Sequence, residues 1–376
     1  MKLLRTWAVA RKEFLHILRD PRSLAMAIAL PMLQMVLFGY ALTLDVDRVP
    51  LGIWDQDQSP ASRELLSRFL GSGYFSMVLV AESYHEMEKA IDTGKVLAGL
   101  VVPVGFSARV ESGKDVYVQF LVDGSDSNTA TLALGYAEAL VSGYSRELVI
   151  HEIRKAGIKP PREPLILHSR AWFNEELQSR NYIIPGLIAV IMNVIAALLT
   201  SLSVAREWEN GTMEQLISTP IKGPELLLGK LFPYFCVGML DVLLAVIMGH
   251  YVFGVPLRGS PALLFLMAGI FLLGVLSIGM FLSVLTKSQL LSSQAAMVIT
   301  YLPALLLSGY IFAIQNMPPA LQVISRVVPA RYFVKLIRAI YLKGLGLEVL
   351  AFEAGLLVLF AAGVAMLTNL VFKKRM

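Results

Sequence analysis

Six stretches of the chain are apolar over roughly the 18–20 residues that a helix needs to cross the hydrocarbon core of a bilayer. Hydrophobic residues make up 56% of the chain and charged residues 16%, and the mean hydropathy is +0.64. That composition is too apolar for an ordinary soluble domain of this length. We therefore predict an α-helical integral membrane protein with six transmembrane helices, at residues 23–43, 182–204, 226–253, 262–285, 290–312 and 349–372.

Basic residues at the two ends of the chain predict its orientation. The leader 1–22 is rich in Lys and Arg, and the C-terminus ends in Lys373, Lys374 and Arg375. Six crossings place both termini on one side, and the positive-inside rule makes that side the cytoplasm. Another basic segment, 326–343, falls outside in this topology and argues against it. The net charge of +5 is explained by the basic flanks, so we expect membrane lipid as a partner and no nucleic acid.

The leader 1–22 has the pattern of a helix that lies in the headgroup region. Leu4, Trp7, Leu15 and Leu18 share one helical face, while basic residues lie largely opposite. Such a helix is typical of an interfacial segment that precedes a membrane helix. A solvated basic leader is the alternative, and it would leave the apolar stripe unexplained.

A water-soluble insert separates the first predicted membrane helix from the second, and we assign residues 44–180 to an extracytoplasmic α/β domain. Alternating strands and helices indicate that class. Ser59 followed by Pro60 predicts the start of one helix, with Ser59 as N-cap. Residues 181–376 hold the other five membrane helices, and the Pro-rich stretch 313–348 predicts short helices at the outer surface. In the insert we predict strands at 49–54, 75–80, 96–102 and 116–121, and helices at 59–70, 84–92, 106–111 and 128–155.

A polar loop between the second and third apolar runs carries the signature of a helix start. Thr212 and Gln215 have the spacing of a capping box, with Thr212 as N-cap. The helix must end before Pro220, which disfavours helical backbone at the preceding residue. About two turns remain, at 212–218, and their apolar residues Met213, Leu216 and Ile217 share a face. So short a helix cannot bury that face within itself, so we expect it to dock on something.

Signatures of catalysis are missing from the sequence. No G-x-x-x-x-G-K-[ST] phosphate loop occurs, and the five histidines show no metal-ligand spacing. We therefore predict no catalytic residue, no metal ligand and no bound cofactor, and we do not expect this chain to hydrolyse ATP.

Polar residues inside the predicted membrane helices leave two interpretations open. A carboxylate at mid-helix costs roughly 2.5–3.5 kcal/mol on insertion scales, so Asp241 should face protein or water. Asp241, Asn193, Gln34 and Gln294 could line a translocation path. They could equally make hydrogen bonds between packed helices.

Taken together, these features resemble the ABC-2 type permease family of bacterial exporters. The most specific stretch is Arg206-Glu207 with Gly211-Thr212-Met213-Glu214-Gln215-Leu216 and Thr219-Pro220. Further matches are Lys12-Glu13-Phe14-Leu15 with Arg19-Asp20-Pro21-Arg22, Leu307-Ser308-Gly309-Tyr310-Ile311-Phe312, and Pro329-Ala330-Arg331-Tyr332-Phe333. The chain departs from the family where Ala313 replaces the usual proline after Phe312, which should soften the bend there.

The resemblance implies a transport subunit, not an enzyme, in the inner membrane of a bacterium. It implies export of a drug, amphiphile or ion, driven by ATP and Mg²⁺ in a separate ABC ATPase subunit. It also implies a second permease copy, identical or related, and we expect the insert to meet either a periplasmic adaptor protein or the same insert of the second copy. A sensor or receptor with a ligand-binding outer domain is the alternative. The residues expected to couple to the ATPase are Arg206, Glu207, Glu209, Gly211, Thr212, Met213, Glu214, Gln215, Leu216 and Ile217, with Glu207, Glu209 and Glu214 offering their charges.

Overall fold

The structure, a computed structural model, describes residues 3–20, 24–41, 48–155, 157, 172–174 and 178–374. The chain folds as two compact units, Asp45–Ser169 and the combination of Met1–Leu44 with Arg170–Met376. The Pro-rich residues 159–164, which we expect from the sequence to lead from the insert back to the membrane helices, lie outside the described residues. Most of the described chain is helical.

The chain begins with two helices, α1 (Leu3–Arg19) and α2 (Leu30–Ala41), and a π-helical turn at Ala25–Ala29 leads into α2. The predicted helix in the leader is confirmed. Its buried residues are Val9, Ala10, Glu13 and Ile17. The predicted apolar stripe is a different face, and all four of its members are exposed.

The unit Asp45–Ser169 contains a mixed four-stranded sheet with strand order β2-β1-β3-β4. β1 pairs in parallel with β2 and β3, while β4 is antiparallel to β3. The elements are β1 (Val49–Asp55), α3 (Pro60–Gly71), β2 (Phe75–Val80), α4 (Tyr84–Asp92), β3 (Ala98–Val102), α5 (Phe106–Glu111), β4 (Gln119–Val122) and α6 (Ser127–Lys155).

The turn from β1 into α3 follows its sequence signature. Ser59 is the N-cap, accepts a hydrogen bond from the Ser62 N–H at 3.1 Å, and precedes Pro60 at the first helical position. Just before it, Asp57 accepts N–H bonds from Gly105 at 2.9 Å and Ser107 at 3.0 Å. Hydrogen bonding, chiefly with the Ser59 side chain, holds the pKa of Asp57 below its usual value. The third and fourth strands begin later than predicted, because the ladder pairs of β3 begin at Ala98 and those of β4 begin at Gln119.

The remaining helices belong to the other unit. They are α7 (Ser179–Glu209), α8 (Thr212–Ile217), α9 (Gly223–Tyr251), α10 (Pro261–Thr286), α11 (Gln289–Ala296), α12 (Leu302–Leu307), α13 (Pro319–Ile324), α14 (Pro329–Arg338) and α15 (Leu347–Lys374). A π-helical turn at Met297–Tyr301 joins α11 to α12. The stretch predicted to form short helices holds α13, α14 and two 3₁₀ turns.

Five helices of the described chain are long and apolar enough to cross a membrane. The first predicted run gives a shorter apolar helix, Ala27–Ala41. The five longer ones are Ser179–Glu209, Gly223–Tyr251, Pro261–Thr286, Gln289–Leu307 and Leu347–Phe372.

Helix α7 forms the centre of the helical unit, and most of its apolar residues are buried. Its tightest neighbour is α10, which approaches through Gly279. A Cβ atom at Gly279 would lie 2.2 Å from Thr200 Oγ1 and 2.3 Å from the Ala197 carbonyl oxygen. Because backbone cannot move aside as a flexible side chain can, this crossing requires glycine.

We expect Gly279→Ala to destabilise the protein by roughly 1–3 kcal/mol through overpacking at the α7–α10 crossing. The matched control is Gly363→Ala in α15, where a Cβ atom meets nothing within 4 Å. That change should leave stability unchanged or raise it, because alanine favours helix over glycine. The thermal unfolding midpoint of the full-length chain in nanodiscs measures the stability of both variants. Equal midpoints for the two would contradict the packing argument.

Candidate functional site

The short helix α8 begins differently from its prediction. Gly211 is the N-cap, in the left-handed conformation at φ 68°, and no side chain caps the helix. Thr212 is instead the first helical residue, and its hydroxyl donates back to the Glu207 carbonyl oxygen at 3.4 Å. The predicted capping box of Thr212 and Gln215 is therefore wrong. Gly211 makes the sharp reversal after α7, which a residue with a Cβ atom would make only under strain.

The apolar face of α8 is largely covered by the chain itself. Met213 is 1% exposed and belongs to a buried cluster, here called the apolar anchor. Half-buried Leu216 packs against this cluster, and the Ile217 side chain lies outside the described structure. The expectation that Met213 and Leu216 face a partner is thus corrected: both fix α8 to its own protein. The anchor consists of Val9, Val204, Met213, Leu226, Leu227, Met280, Val284 and Phe372.

What α8 leaves exposed is polar. Glu214, Gln215 and Ser218 are exposed, as are Gly211 and Asn210 at the turn before the helix. The exposed Glu209 accepts hydrogen bonds from the backbone N–H and side-chain amide of Gln289, at 2.8 and 2.5 Å. The surface around α8 is therefore a small acidic and amide-bearing patch.

A buried ion cluster lies beneath α8 and joins three helices. Lys230 on α9 is 1% exposed, and its Nζ lies 2.9 Å from Glu13 Oε1 and 2.9 Å from Glu207 Oε2. Lys12 Nζ contacts Glu207 Oε1 at 2.8 Å from the more exposed side. Two acids and two bases make the cluster neutral. It binds α1, α7 and α9 to one another directly below the turn that leads into α8.

Glu207 is consequently not a surface charge. Its side chain is 8% exposed and is engaged by two lysines. The expectation that Glu207 offers its charge to a partner is wrong, because the residue serves inside the protein. Arg206 is likewise engaged: its guanidinium lies 2.7 Å from His16 Nε2 and 3.9 Å from Asp20 Oδ2.

Sequence reasoning assigned no role to Lys12, Glu13 and Lys230, although two signals were available. Lys230 is a charged residue near the start of a long apolar helix, where burial without a partner is costly. Glu13 lies four residues after Val9 and four before Ile17, on the face of α1 that is buried. A helical-face analysis that included charged residues would have placed Glu13 on the buried face of α1 and shown that Lys230 needs a partner, although it could not have paired the two.

The four polar residues considered for a translocation path do not converge. Asp241 lines one cavity among α2, α7, α9 and α10, and Asn193 lines a different one. Asn193 donates a hydrogen bond to the Thr300 carbonyl oxygen at 2.9 Å, which is the expected contact between packed helices. Gln34 is half-buried, Gln294 is exposed, and neither lines those two cavities.

Comparison with known proteins places this architecture in a family. The sequence model of the family described as ABC-2 family transporter protein matches residues 21–369. The chain belongs to the ABC-2 transporter family, as its motifs predicted, and its several apolar helices are those of a membrane protein.

Three Escherichia coli K12 proteins are similar along most of their length. The probable multidrug ABC transporter permease YbhS is 37% identical over 90% of this chain and 89% of its own length. The probable multidrug ABC transporter permease YbhR is 33% identical over 92% of each chain. The inner membrane transport permease YhhJ is 27% identical over 85% of this chain and 86% of its own.

We expect Lys230→Ala to destabilise the protein by about 3–5 kcal/mol, because Glu13 and Glu207 would remain buried without their shared cation. Lys12→Ala is the matched control, since the Lys12 side chain is 55% exposed and water can replace it. The thermal unfolding midpoint of the full-length chain in nanodiscs reports both variants. A Lys230→Ala midpoint as high as that of Lys12→Ala would show that the ion cluster does not hold the three helices together.

Proposed function

We propose that the chain is the permease subunit of an ATP-binding cassette exporter in a bacterial inner membrane. Membership of the ABC-2 family and similarity to two probable multidrug ABC transporter permeases support this function. The substrate would be a drug, amphiphile or ion that leaves the cytoplasm or the inner leaflet. The sequence has no phosphate loop, so a separate ABC ATPase subunit would bind ATP and Mg²⁺.

The observation that carries the proposal is the construction of α8. Its apolar side is anchored by Met213, and its polar side presents Glu214, Gln215 and Ser218. A helix held in this way can transmit a displacement as a rigid body, because the apolar anchor joins Met213 of α8 to residues of α1, α7 and α9. In this proposal α8 is the coupling helix and its polar side docks in a groove of the ATPase subunit.

Topology and assembly follow from the same function. Six crossings, with α2 in the first and α15 in the last, would keep α1, α8 and both termini in the cytoplasm. The unit Asp45–Ser169 would then lie in the periplasm, where an adaptor protein could bind it. A second permease copy, identical or related, would complete the transporter. The exposed apolar side of α1, which includes Leu4, Trp7 and Leu18, would lie in the lipid headgroups.

We expect the double variant Glu214→Ala, Gln215→Ala to weaken association with the ATPase subunit about tenfold, equivalent to roughly 1.4 kcal/mol. Both side chains are exposed, so stability should not change. The measurement is the amount of ATPase encoded by an adjacent gene that co-purifies with the tagged permease, together with drug-stimulated ATP hydrolysis by the complex.

The control for this experiment is Glu88→Ala, which removes an exposed acid from the unit Asp45–Ser169. It should co-purify as much ATPase as the unmodified chain. Full association and full stimulated hydrolysis by the double variant would exclude the polar side of α8 as the docking surface.

A further inference from the structure

A small cavity lies in the middle of the helical unit, enclosed by α2, α7, α9 and α10. Its volume is about 20 Å³, which is room for one water-sized group. The wall is almost entirely apolar, with isoleucine, leucine, methionine and alanine side chains. Among the described residues that line it, the only carboxylate is Asp241, and the only other polar side chain is Tyr234.

Asp241 lies on this wall without an internal partner for one of its oxygens. The residue is 6% exposed, and its Oδ1 atom is buried with no hydrogen bond. Tyr234 lies two helical turns before Asp241 on α9 and donates no hydrogen bond to that oxygen. An acid placed in an apolar membrane helix with an unsatisfied oxygen is costly, and helix packing alone would select a neutral residue.

The chemistry of the cavity defines what could satisfy Asp241. A carboxylate acceptor in an apolar wall favours a cation that carries N–H donors, and the volume matches a single ammonium group. Met32, Met35 and Met192 also line the cavity. Methionine side chains are unbranched and flexible, so they can rearrange around apolar bodies of different shape.

We propose that Asp241 binds the ammonium group of amphipathic amines, and that Met32, Met35 and Met192 move apart to receive the apolar body, because the cavity as it stands has room for the ammonium group alone. This inference rests on the proposed function, because it names the substrate class of that transporter. The carboxylate supplies the selectivity for positive charge. The methionines supply tolerance toward the rest of the molecule, as a multidrug site requires.

The test is direct binding to the full-length chain in nanodiscs, with radiolabelled n-octylamine as the probe and n-octanol as its uncharged counterpart. Retention on empty nanodiscs is subtracted. Asp241→Asn removes the charge and keeps the shape, while Glu138→Gln makes the same acid-to-amide change on an exposed helix position of the other unit.

The unmodified chain and Glu138→Gln should bind octylamine in clear preference to octanol. Asp241→Asn should bind octylamine about tenfold more weakly, or worse, since a buried charge pair is lost. Its thermal midpoint should equal or exceed that of the unmodified chain, because an unpaired buried charge has been removed.

Two results would overturn the proposal: octylamine binding that is unchanged in Asp241→Asn, or octanol binding as tight as octylamine in the unmodified chain. The second comparison needs no variant, so it decides even if Asp241→Asn fails to fold. Binding is measured without an ATPase. Failure of an ATPase subunit to associate would therefore count against the proposed function alone and leave the octylamine result standing.

Discussion

The contact on which this structure depends is the buried pairing of Lys230 with Glu13 and Glu207. Lys230 Nζ lies 2.9 Å from a carboxylate oxygen of each, and the lysine side chain is almost fully buried. Three buried charges are tolerable only because they satisfy one another. Their pairing fixes the leader helix α1 against α7 and α9, and it sets the position of the turn that leads into α8.

A short coupling helix needs one side that is fixed to its own protein and another side that is polar and exposed, and α8 has both. Met213 belongs to the apolar anchor, together with residues from α1, α7, α9, α10 and α15, while Glu214 and Gln215 remain exposed. In the proposed transporter, a movement of the ATPase subunits would reach α7 through the apolar anchor. Because α7 is the buried centre of the helical unit, a small displacement there would reach every helix packed around it.

Asp241 lies elsewhere in the helical unit, in the wall of the small cavity. In the ion cluster each acid has a lysine Nζ within 2.9 Å that neutralises it, whereas Asp241 forms no ion pair among the described residues and its buried Oδ1 has no hydrogen bond. The first pattern stabilises a structure. The second is a destabilising feature that binding can offset, and such features accumulate at functional sites because selection retains them despite their cost. The contrast is the reason to separate a structural role for Lys230 from a binding role for Asp241.

The sequence by itself determined five of the six predicted membrane-length helices, the order of strands and helices in the unit Asp45–Ser169, and the family, because length, periodicity and turn chemistry are local properties. It also placed the short helix at α8, apart from its cap. Only tertiary structure decided which side of α8 is free, since Met213 is covered by residues as distant in sequence as Val9 and Phe372. It likewise decided that Glu207 pairs inward, with Lys12 and Lys230. Burial and pairing depend on neighbours far apart in the chain, and no local pattern specifies them.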